Sequence, residues 1–116
     1  MNKRRIGKEY EDIACKYLID IGHKVIKTNF LCGFGEIDII SKDKDVIVFT
    51  EVKYRNTISS GFGEEAVNSR KQSKIYSSAR YFLYKNHYNE NTKCRFDVIA
   101  INNGVVNHIK NAFGIM

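Results

Sequence analysis

The stretch Val46-Ile47-Val48-Phe49-Thr50-Glu51-Val52-Lys53 constrains the fold most, because it has high strand propensity and is apolar on both faces until Glu51. A strand of this kind is typical of the centre of a sheet that is covered on both sides. The preceding stretch, 35–40, also predicts a strand, and the polar link 41–45 predicts the turn between them. Together they predict a hairpin at the middle of an α/β sheet.

Charged side chains stand near the ends of both predicted strands. Because side chains alternate between faces, Glu51 and Lys53 should project together, and Asp38 should share a face with Glu36 and Ile40. Buried charges are rare unless they pair or bind a metal. One interpretation is that Asp38 and Glu51 hold Mg²⁺ or Mn²⁺ with Lys53 beside them. The other is an exposed cross-strand salt bridge between common residue types, and the spacing leaves both open.

Residues 5–22 predict the first long helix, since their apolar side chains recur at helical spacing and Gly22 follows as a C-terminal cap. Glu9 and Glu11 fall on opposite margins of the apolar stripe. The spacing does not decide which of them leans toward a site at the edge of the sheet.

The segment 23–30 predicts a first strand, with His23 at the surface. A glycine-bearing turn, 31–35, follows, and its Phe34 is either a plug on the core or a surface aromatic that stacks on a base, with the plug favoured. The polar loop 54–63 leaves the strand of Glu51 and is expected at the mouth of any site.

Residues 64–85 predict the second long helix. Lys71 is its misfit, a charge on the stripe that is otherwise buried. A lysine there either extends outward along its apolar stem or points into the polar site. Arg70 and Lys74 flank it and would add phosphate-binding charge.

The C-terminal part predicts a buried strand at 95–101 and a final strand at 105–109, joined by a type I′ turn at 103–104. Asp97 lies within the first of these strands and is interpreted as structural, pairing with Arg95 or with a helix charge. The remaining tail is expected to dock on the core.

Composition narrows the class of protein. At 116 residues with 43% hydrophobic content, the chain is one globular domain, 1–116, and its net charge of +6 favours a polyanionic partner such as nucleic acid. Its cysteines are odd in number and lack metal-binding spacing, which predicts reduced thiols. No signal peptide or membrane-spanning run is found, so a cytoplasmic protein without membrane association is expected.

An aspartate on one strand and Glu-x-Lys on the next is the hallmark of PD-(D/E)xK nucleases. The sequence as a whole resembles one branch of them, the YraN family of endonuclease-like proteins. The proline of the PD-(D/E)xK motif is replaced by Ile37 in this sequence. The matching pieces run through nearly the whole chain: GKEYEDIACKYL (7–18), GEIDII (35–40), VFTEVKYR (48–55), EAVNSRK (65–71), RFDVIA (95–100) and HIKNAF (108–113).

The resemblance implies a restriction-endonuclease-like core of order αβββαββ, with a mixed central sheet and helices on both faces. It implies a nuclease dependent on Mg²⁺ or Mn²⁺ that acts on DNA rather than RNA, and a two-fold homodimer acting on branched DNA as in the Holliday-junction resolvases. No recognition helix or aromatic ladder is evident in the sequence, so structure- or end-selective action is expected rather than sequence-specific action. A module that binds nucleic acid without catalysis is the alternative. The site that it implies has the metal ligands Asp38, Glu51 and Glu11, the catalytic residues Lys53 and Lys71 beside them, and the nucleic-acid-binding residues Arg4, Arg5, Arg55, Arg70 and Lys74.

Overall fold

A computed structural model describes residues 3–55 and 68–114, with side chains for 7–54 and 68–114. The fold is α/β with the element order αβββαββ, as predicted, and is consistent with a restriction-endonuclease-like core. No helix in the described residues is long and apolar enough to cross a membrane. The elements in chain order are α1 (Lys3–Asp20), β1 (Lys24–Cys32), β2 (Gly35–Asp43), β3 (Val46–Arg55), α2 (Ser69–Lys85), β4 (Lys93–Asn102) and β5 (Val105–Ile109).

The five strands form one mixed sheet in the order β1-β2-β3-β4-β5. Strands β3 and β4 are parallel, with Phe49 beside Phe96, and the other neighbours are antiparallel. The parallel pair needs a crossover, and α2 lies in that connection. Strand β3 is therefore central, as its two apolar faces predict.

Each face of the sheet is covered by one of the two described helices. On one face α2 packs Ile75, Ala79 and Phe82 against a cluster that includes Phe49 and Phe96. On the other face α1 packs Ala14 and Leu18 against Ile39, Ile99 and Ile101. Because both faces are dry, any charge on β3 has to be satisfied at the ends of the strand.

Several element boundaries differ from those predicted. The hairpin turn is only Lys44-Asp45, since β2 continues to Asp43 and Lys44 adopts a positive φ of 58°. Helix α2 begins at Ser69, because Asn68 is extended and its side chain accepts a hydrogen bond from the backbone N–H of Lys71 at 3.0 Å. The predicted first turn of that helix, 64–67, lies outside the described residues.

The strict alternation predicted for β2 breaks at Asp38. Ile37 and Ile40 both pack on the α2 side of the sheet, whereas Ile39 packs on the α1 side. The pairing of β2 with β3 runs from Asp43 back to Ile39 and stops there. Ile37 and Ile39 therefore lie on opposite faces, and Asp38 stands between them, just beyond the last residue of β2 that pairs with β3.

Gly35 allows the chain to enter β2 close to α2. Its φ is +150°, a conformation that L side chains rarely adopt, and a Cβ there would lie 3.6 Å from Lys74 Cβ and from Ser78 Oγ. Replacing Gly35 with alanine is expected to lower the free energy of unfolding by roughly 1–2 kcal/mol, mainly through backbone strain. Urea unfolding measures this change. Gly33→Ala is the matched control, because a Cβ there meets nothing within 4 Å, and equal effects of the two variants would contradict the expectation.

Candidate active site

Asp38 and Glu51 converge at the ends of β2 and β3. The Oδ2 atom of Asp38 accepts a hydrogen bond from the backbone N–H of Val52 at 2.8 Å, which holds the carboxyl against the end of β3. The side chain of Glu51 is 7% exposed and lies within hydrogen-bonding reach of Asp38. Both line a cavity of about 340 Å³ between α1, β2, β3 and α2.

This arrangement disfavours two negative charges in the absence of a cation. Burial raises the pKa of Asp38, and the hydrogen bond and negative charge of Glu51 raise it further, to about 8. The hydrogen bond from Val52 and the charge of Lys71 act in the opposite direction but do not prevail. The pair is thus poised to exchange a proton for a positive ion near neutral pH.

Two lysines adjoin the carboxyl pair. Lys71 Nζ lies 3.3 Å from Glu51 Oε2, so this side chain takes the inward of the two predicted orientations. The two groups form an ion pair, but their angles do not fit a hydrogen bond. Oε2 accepts no hydrogen bond from any described residue. Burial, and next the neighbouring Lys71, lower the pKa of Lys53 to about 8. Burial would lower the pKa of Lys71 too, but its contacts with Lys53 and Glu51 outweigh that and raise it.

Glu11 lines the same cavity from α1, whereas Glu9 is exposed. Burial raises the pKa of Glu11 and the charge of Asp38 adds to this, while a hydrogen bond from Asn29 opposes it. Asn29 has a positive φ of 51° within β1. Backbone strain of this kind is often retained at functional sites, and here it directs the amide toward Glu11.

Glu36 is a carboxylate of the cavity that the predicted site omits. Burial, followed by the charges of Asp38 and Glu11, raises its pKa. Its predicted position on the face of Asp38 was the signal that could have identified it. Lys74 also lines the cavity, and Arg70 is exposed one helical turn earlier.

Part of the predicted nucleic-acid-binding set cannot be placed around the cavity. The side chains of Arg4, Arg5 and Arg55 lie outside the described part of the chain, as does the segment 56–63 of the predicted mouth loop.

The donor set fits a hard divalent cation held by two carboxylates. Mg²⁺ is commonly bound by one or two carboxylates, with water and substrate phosphate completing the octahedron. Asp38 and Glu51 supply that number, and the orphaned Oε2 of Glu51 is an acceptor that lacks a hydrogen-bond donor among the described residues. Within 3–55 and 68–114, no three His, Cys, Asp or Glu side chains are grouped as ligands of one ion. Direct coordination by Glu11 therefore stays a prediction.

A second buried polar cluster lies on the α1 side of the sheet, around Asp97. Its carboxylate is fully buried and accepts hydrogen bonds from Arg95 Nε at 2.9 Å, Arg95 Nη2 at 3.1 Å, His108 Nε2 at 2.7 Å and the backbone N–H of Asn111 at 3.0 Å. The predicted pairing of Asp97 with Arg95 is confirmed. His108 Nδ1 in turn lies 3.1 Å from the hydroxyl of Tyr17 on α1.

Two residues predicted from the sequence lie elsewhere than expected. His23 is buried rather than on the surface, with its Nδ1 atom 2.9 Å from Ser41 Oγ. Phe34 is 54% exposed, so it is a surface aromatic and not a plug on the core. Each depends on a partner distant in sequence, which local periodicity does not report.

Comparison with known proteins gives one consistent result. The model of the uncharacterised protein family UPF0102 matches residues 10–101. A UPF0102 protein of Lachnoclostridium phytofermentans is 42% identical over 113 residues, covering 97% of this chain and 96% of that protein. A UPF0102 protein of Francisella tularensis subsp. tularensis is 43% identical over 117 residues, with 100% of both covered. One of Persephonella marina is 40% identical over 109 residues, covering 94% of this chain and 93% of that protein.

Proposed function

This chain belongs to the UPF0102 family, also called the YraN family, and from that premise together with its site we propose that it hydrolyses phosphodiester bonds in DNA with a divalent cation. The action is selective for the structure of the substrate, and branched DNA bound by a two-fold dimer is the substrate that we expect. The proposal extends beyond the family assignment and rests on the chemistry of the cavity.

The single observation that carries the proposal is the convergence of Asp38 and Glu51 in one cavity, where Glu51 Oε2 lies 3.3 Å from Lys71 Nζ but accepts no hydrogen bond from a described residue. A structural ion pair would satisfy its oxygens, as the Asp97 cluster does. Here the pKa of Asp38 is instead raised to about 8. Strong perturbation by burial and by a like charge in a cavity is typical of functional carboxylates.

Asp38 and Glu51 would hold Mg²⁺ or Mn²⁺, which when bound would neutralise charge on the scissile phosphate and lower the pKa of water. Lys71, whose pKa is raised, stays protonated and offers a fixed positive charge to a phosphate that enters the cavity. Lys53, with a pKa of about 8, exchanges a proton near neutral pH and is suited to orient or deprotonate the attacking water. Lys74 on the cavity wall and exposed Arg70 contact the flanking backbone.

Lys53→Ala tests this assignment. Purified wild-type protein is incubated with Mg²⁺ or Mn²⁺ and supercoiled, single-stranded and branched DNA, and the rates of strand cleavage are measured. We expect cleavage that EDTA abolishes, and a roughly 100-fold lower rate for Lys53→Ala through loss of proton transfer. Lys93→Ala is the matched control, since Lys93 is exposed and pairs only with exposed Asp45 at 3.2 Å among its described contacts, and its rate should stay within about twofold of the wild type.

Cleavage that persists at full rate in Lys53→Ala would indicate a contaminating nuclease and contradict the proposal. Absence of cleavage on every substrate, with salt-dependent DNA binding that needs no metal and is unaffected by Asp38→Asn, would favour the non-catalytic binding module. The net charge of +6 supports that alternative equally well.

A further inference from the structure

An exposed aromatic surface adjoins the candidate active site. Phe34, Tyr81 and Tyr84 line a cavity of about 450 Å³ together with Ser77 and Arg80. The side chains of Phe34 and Tyr84 are 54% and 81% exposed. We call this set of five residues the aromatic surface. Soluble proteins seldom expose several large rings together unless the patch binds something.

The inner side of the Tyr81 ring packs on other aromatic rings, which leaves its outer side for contact with a ligand. Tyr81 leans on the buried ring of Phe30, with centroids 6.3 Å apart, and on Phe34 at the same centroid distance. The core therefore fixes Tyr81 as a platform, while Tyr84 projects from the next turn of α2. Aromatic rings with few rotatable bonds lose little entropy on binding, which makes such a platform suitable for stacking.

The charges around the aromatic surface favour a polyanion. Helix α2 contains Arg70, Lys71, Lys74, Arg80 and Lys85, and not one carboxylate. Among the residues that the structure describes, no carboxylate lines the aromatic cavity either. A second copy of the same chain docked face to face would bring these cations against one another, whereas a nucleic-acid strand would neutralise them.

The aromatic surface and the candidate active site are adjacent along two elements, the turn before β2 and helix α2. Phe34 immediately precedes Gly35, which lines the carboxylate cavity together with Lys74. On α2, Lys74, Ser77, Tyr81 and Tyr84 recur at helical spacing, so they follow one stripe. Tyr81 lies roughly 10 Å along the helix from Lys74, at 1.5 Å per residue. That distance equals about three stacked nucleotides at 3.4 Å each.

We propose that the aromatic surface binds unpaired nucleotides of a DNA strand, whose bases stack on Phe34, Tyr81 and Tyr84 while the phosphates lead past Lys74 into the carboxylate cavity. Bases stack on aromatic side chains without regard to sequence, and cations beside the rings follow the backbone. The choice of DNA over RNA rests on the proposed function, whereas the stacking itself does not. This surface would give the protein a preference for frayed, flapped or branched DNA over intact duplex.

Binding of a fluorescent 15-residue oligothymidylate, measured by anisotropy in EDTA without divalent metal, tests the proposal separately from cleavage. We expect Tyr84→Ala and Phe34→Ala each to weaken binding roughly 5- to 150-fold, since one stacked base is lost. Tyr84→Trp should retain binding. The two alanine variants should bind a blunt duplex within about twofold of the wild type. Ile19→Ala is the matched control, because Ile19 is a 56% exposed apolar side chain on α1. The high exposure of Tyr84 leaves the fold intact in these variants.

The dependence of binding on salt separates stacking from charge. Tyr84→Ala should leave the slope of log Kd against log salt unchanged, whereas Arg80→Gln should reduce it by about one phosphate contact. An equal loss on duplex and single strand would overturn the proposal, and so would no loss at all. Tighter binding of an oligouridylate would overturn the assignment to DNA.

Two outcomes distinguish this proposal from its neighbours. Sedimentation that shows self-association of the wild type and its loss in Tyr84→Ala, with DNA binding unchanged, would assign the surface to a second copy and overturn the proposal. If the wild type cleaves no substrate but binds oligothymidylate, and Tyr84→Ala loses that binding, stacking is confirmed while the proposed function fails.

Discussion

Asparagine in place of Asp38 is expected to lower metal-dependent cleavage roughly 10³-fold and at the same time to stabilise the folded protein. The loss in rate follows because a carboxylate ligand of the cation contributes several kcal/mol to the stabilisation of charge in the transition state. The gain in stability follows because asparagine keeps an oxygen for the hydrogen bond from Val52 N–H but removes one of the two like charges of the Asp38–Glu51 pair.

The gain in stability has a predictable pH dependence. A carboxyl group of aspartate in the unfolded chain has a pKa near 3.9, whereas folding raises the pKa of Asp38 to about 8. The folded state therefore binds this proton more tightly, so the associated stability is complete below about pH 4 and is lost as the pH rises through about 8. Asparagine does not titrate. The free energy of unfolding of Asp38→Asn, relative to wild type, should thus increase by up to about 5 kcal/mol between about pH 4 and 8.

Thermal unfolding without metal, followed at a series of pH values, measures this difference. At about pH 8 we expect the Tm of Asp38→Asn to exceed that of wild type by roughly 10 °C. Addition of Mn²⁺ should raise the Tm of wild type and leave that of the variant unchanged, because only the wild type retains both ligands. Asp45→Asn is the control, since Asp45 is an exposed carboxylate in the same hairpin and should change stability by less than about 0.5 kcal/mol. A variant that is less stable than wild type at about pH 8 would contradict the whole account of the carboxyl pair.

The sequence predicts those features of the fold that depend on local periodicity. Both helices, all five strands and the central position of β3 follow from the spacing of apolar side chains and from turn residues such as Asn103-Gly104. Lys71 could be singled out for the same reason, because a charge on a buried stripe needs a polar partner. The structure supplies that partner in Glu51.

Features that depend on contacts between distant segments could not be predicted in this way. The break in alternation at Asp38 is a backbone irregularity, and the spacing of residues 35–40 gives no sign of it. Phe34 becomes part of an aromatic surface only because the turn before β2 meets α2, 47 residues away in the case of Tyr81 (81 minus 34). The burial of His23 likewise depends on Ser41 at the far end of β2.

Alanine in place of Asp97 is expected to destabilise the protein by about 3–5 kcal/mol, whereas Asp38→Asn is expected to stabilise it. Burial alone would raise the pKa of Asp97, but hydrogen bonds from His108, Arg95 and the N–H of Asn111 outweigh it and lower the pKa. Its removal leaves the guanidinium of Arg95 and the ring of His108 in a buried site without their acceptor. Arg95 retains Asp43, 3.1 Å from its Nη1 atom, which limits the loss.

Urea unfolding at about pH 7 measures the effect, with Asp12→Ala as the control. Asp12 is exposed and pairs with Lys8 at 3.1 Å one turn away on α1, so its loss should cost less than about 0.5 kcal/mol. If Asp97→Ala does not fold, Asp97→Asn serves in its place, since asparagine keeps one acceptor but presents an N–H group to its donors. The pKa of Asp97 is lowered on folding, so its contribution is present above about pH 4 and is lost as the pH falls through the folded value.

The two aspartates together test why one is assigned to function and the other to structure. Both are acids inside strands that flank β3 in one sheet, and burial disfavours the charge of each. Asp97 receives enough donors to remain charged, whereas Asp38 faces Glu51 and gains a proton. Substituting asparagine for each should therefore change the free energy of unfolding in opposite directions at about pH 8, upward for Asp38 and downward for Asp97. A change of the same sign at both positions would mean that the Asp38 carboxyl is a structural group. The assignment of the adjacent cavity as a cation site would then be wrong.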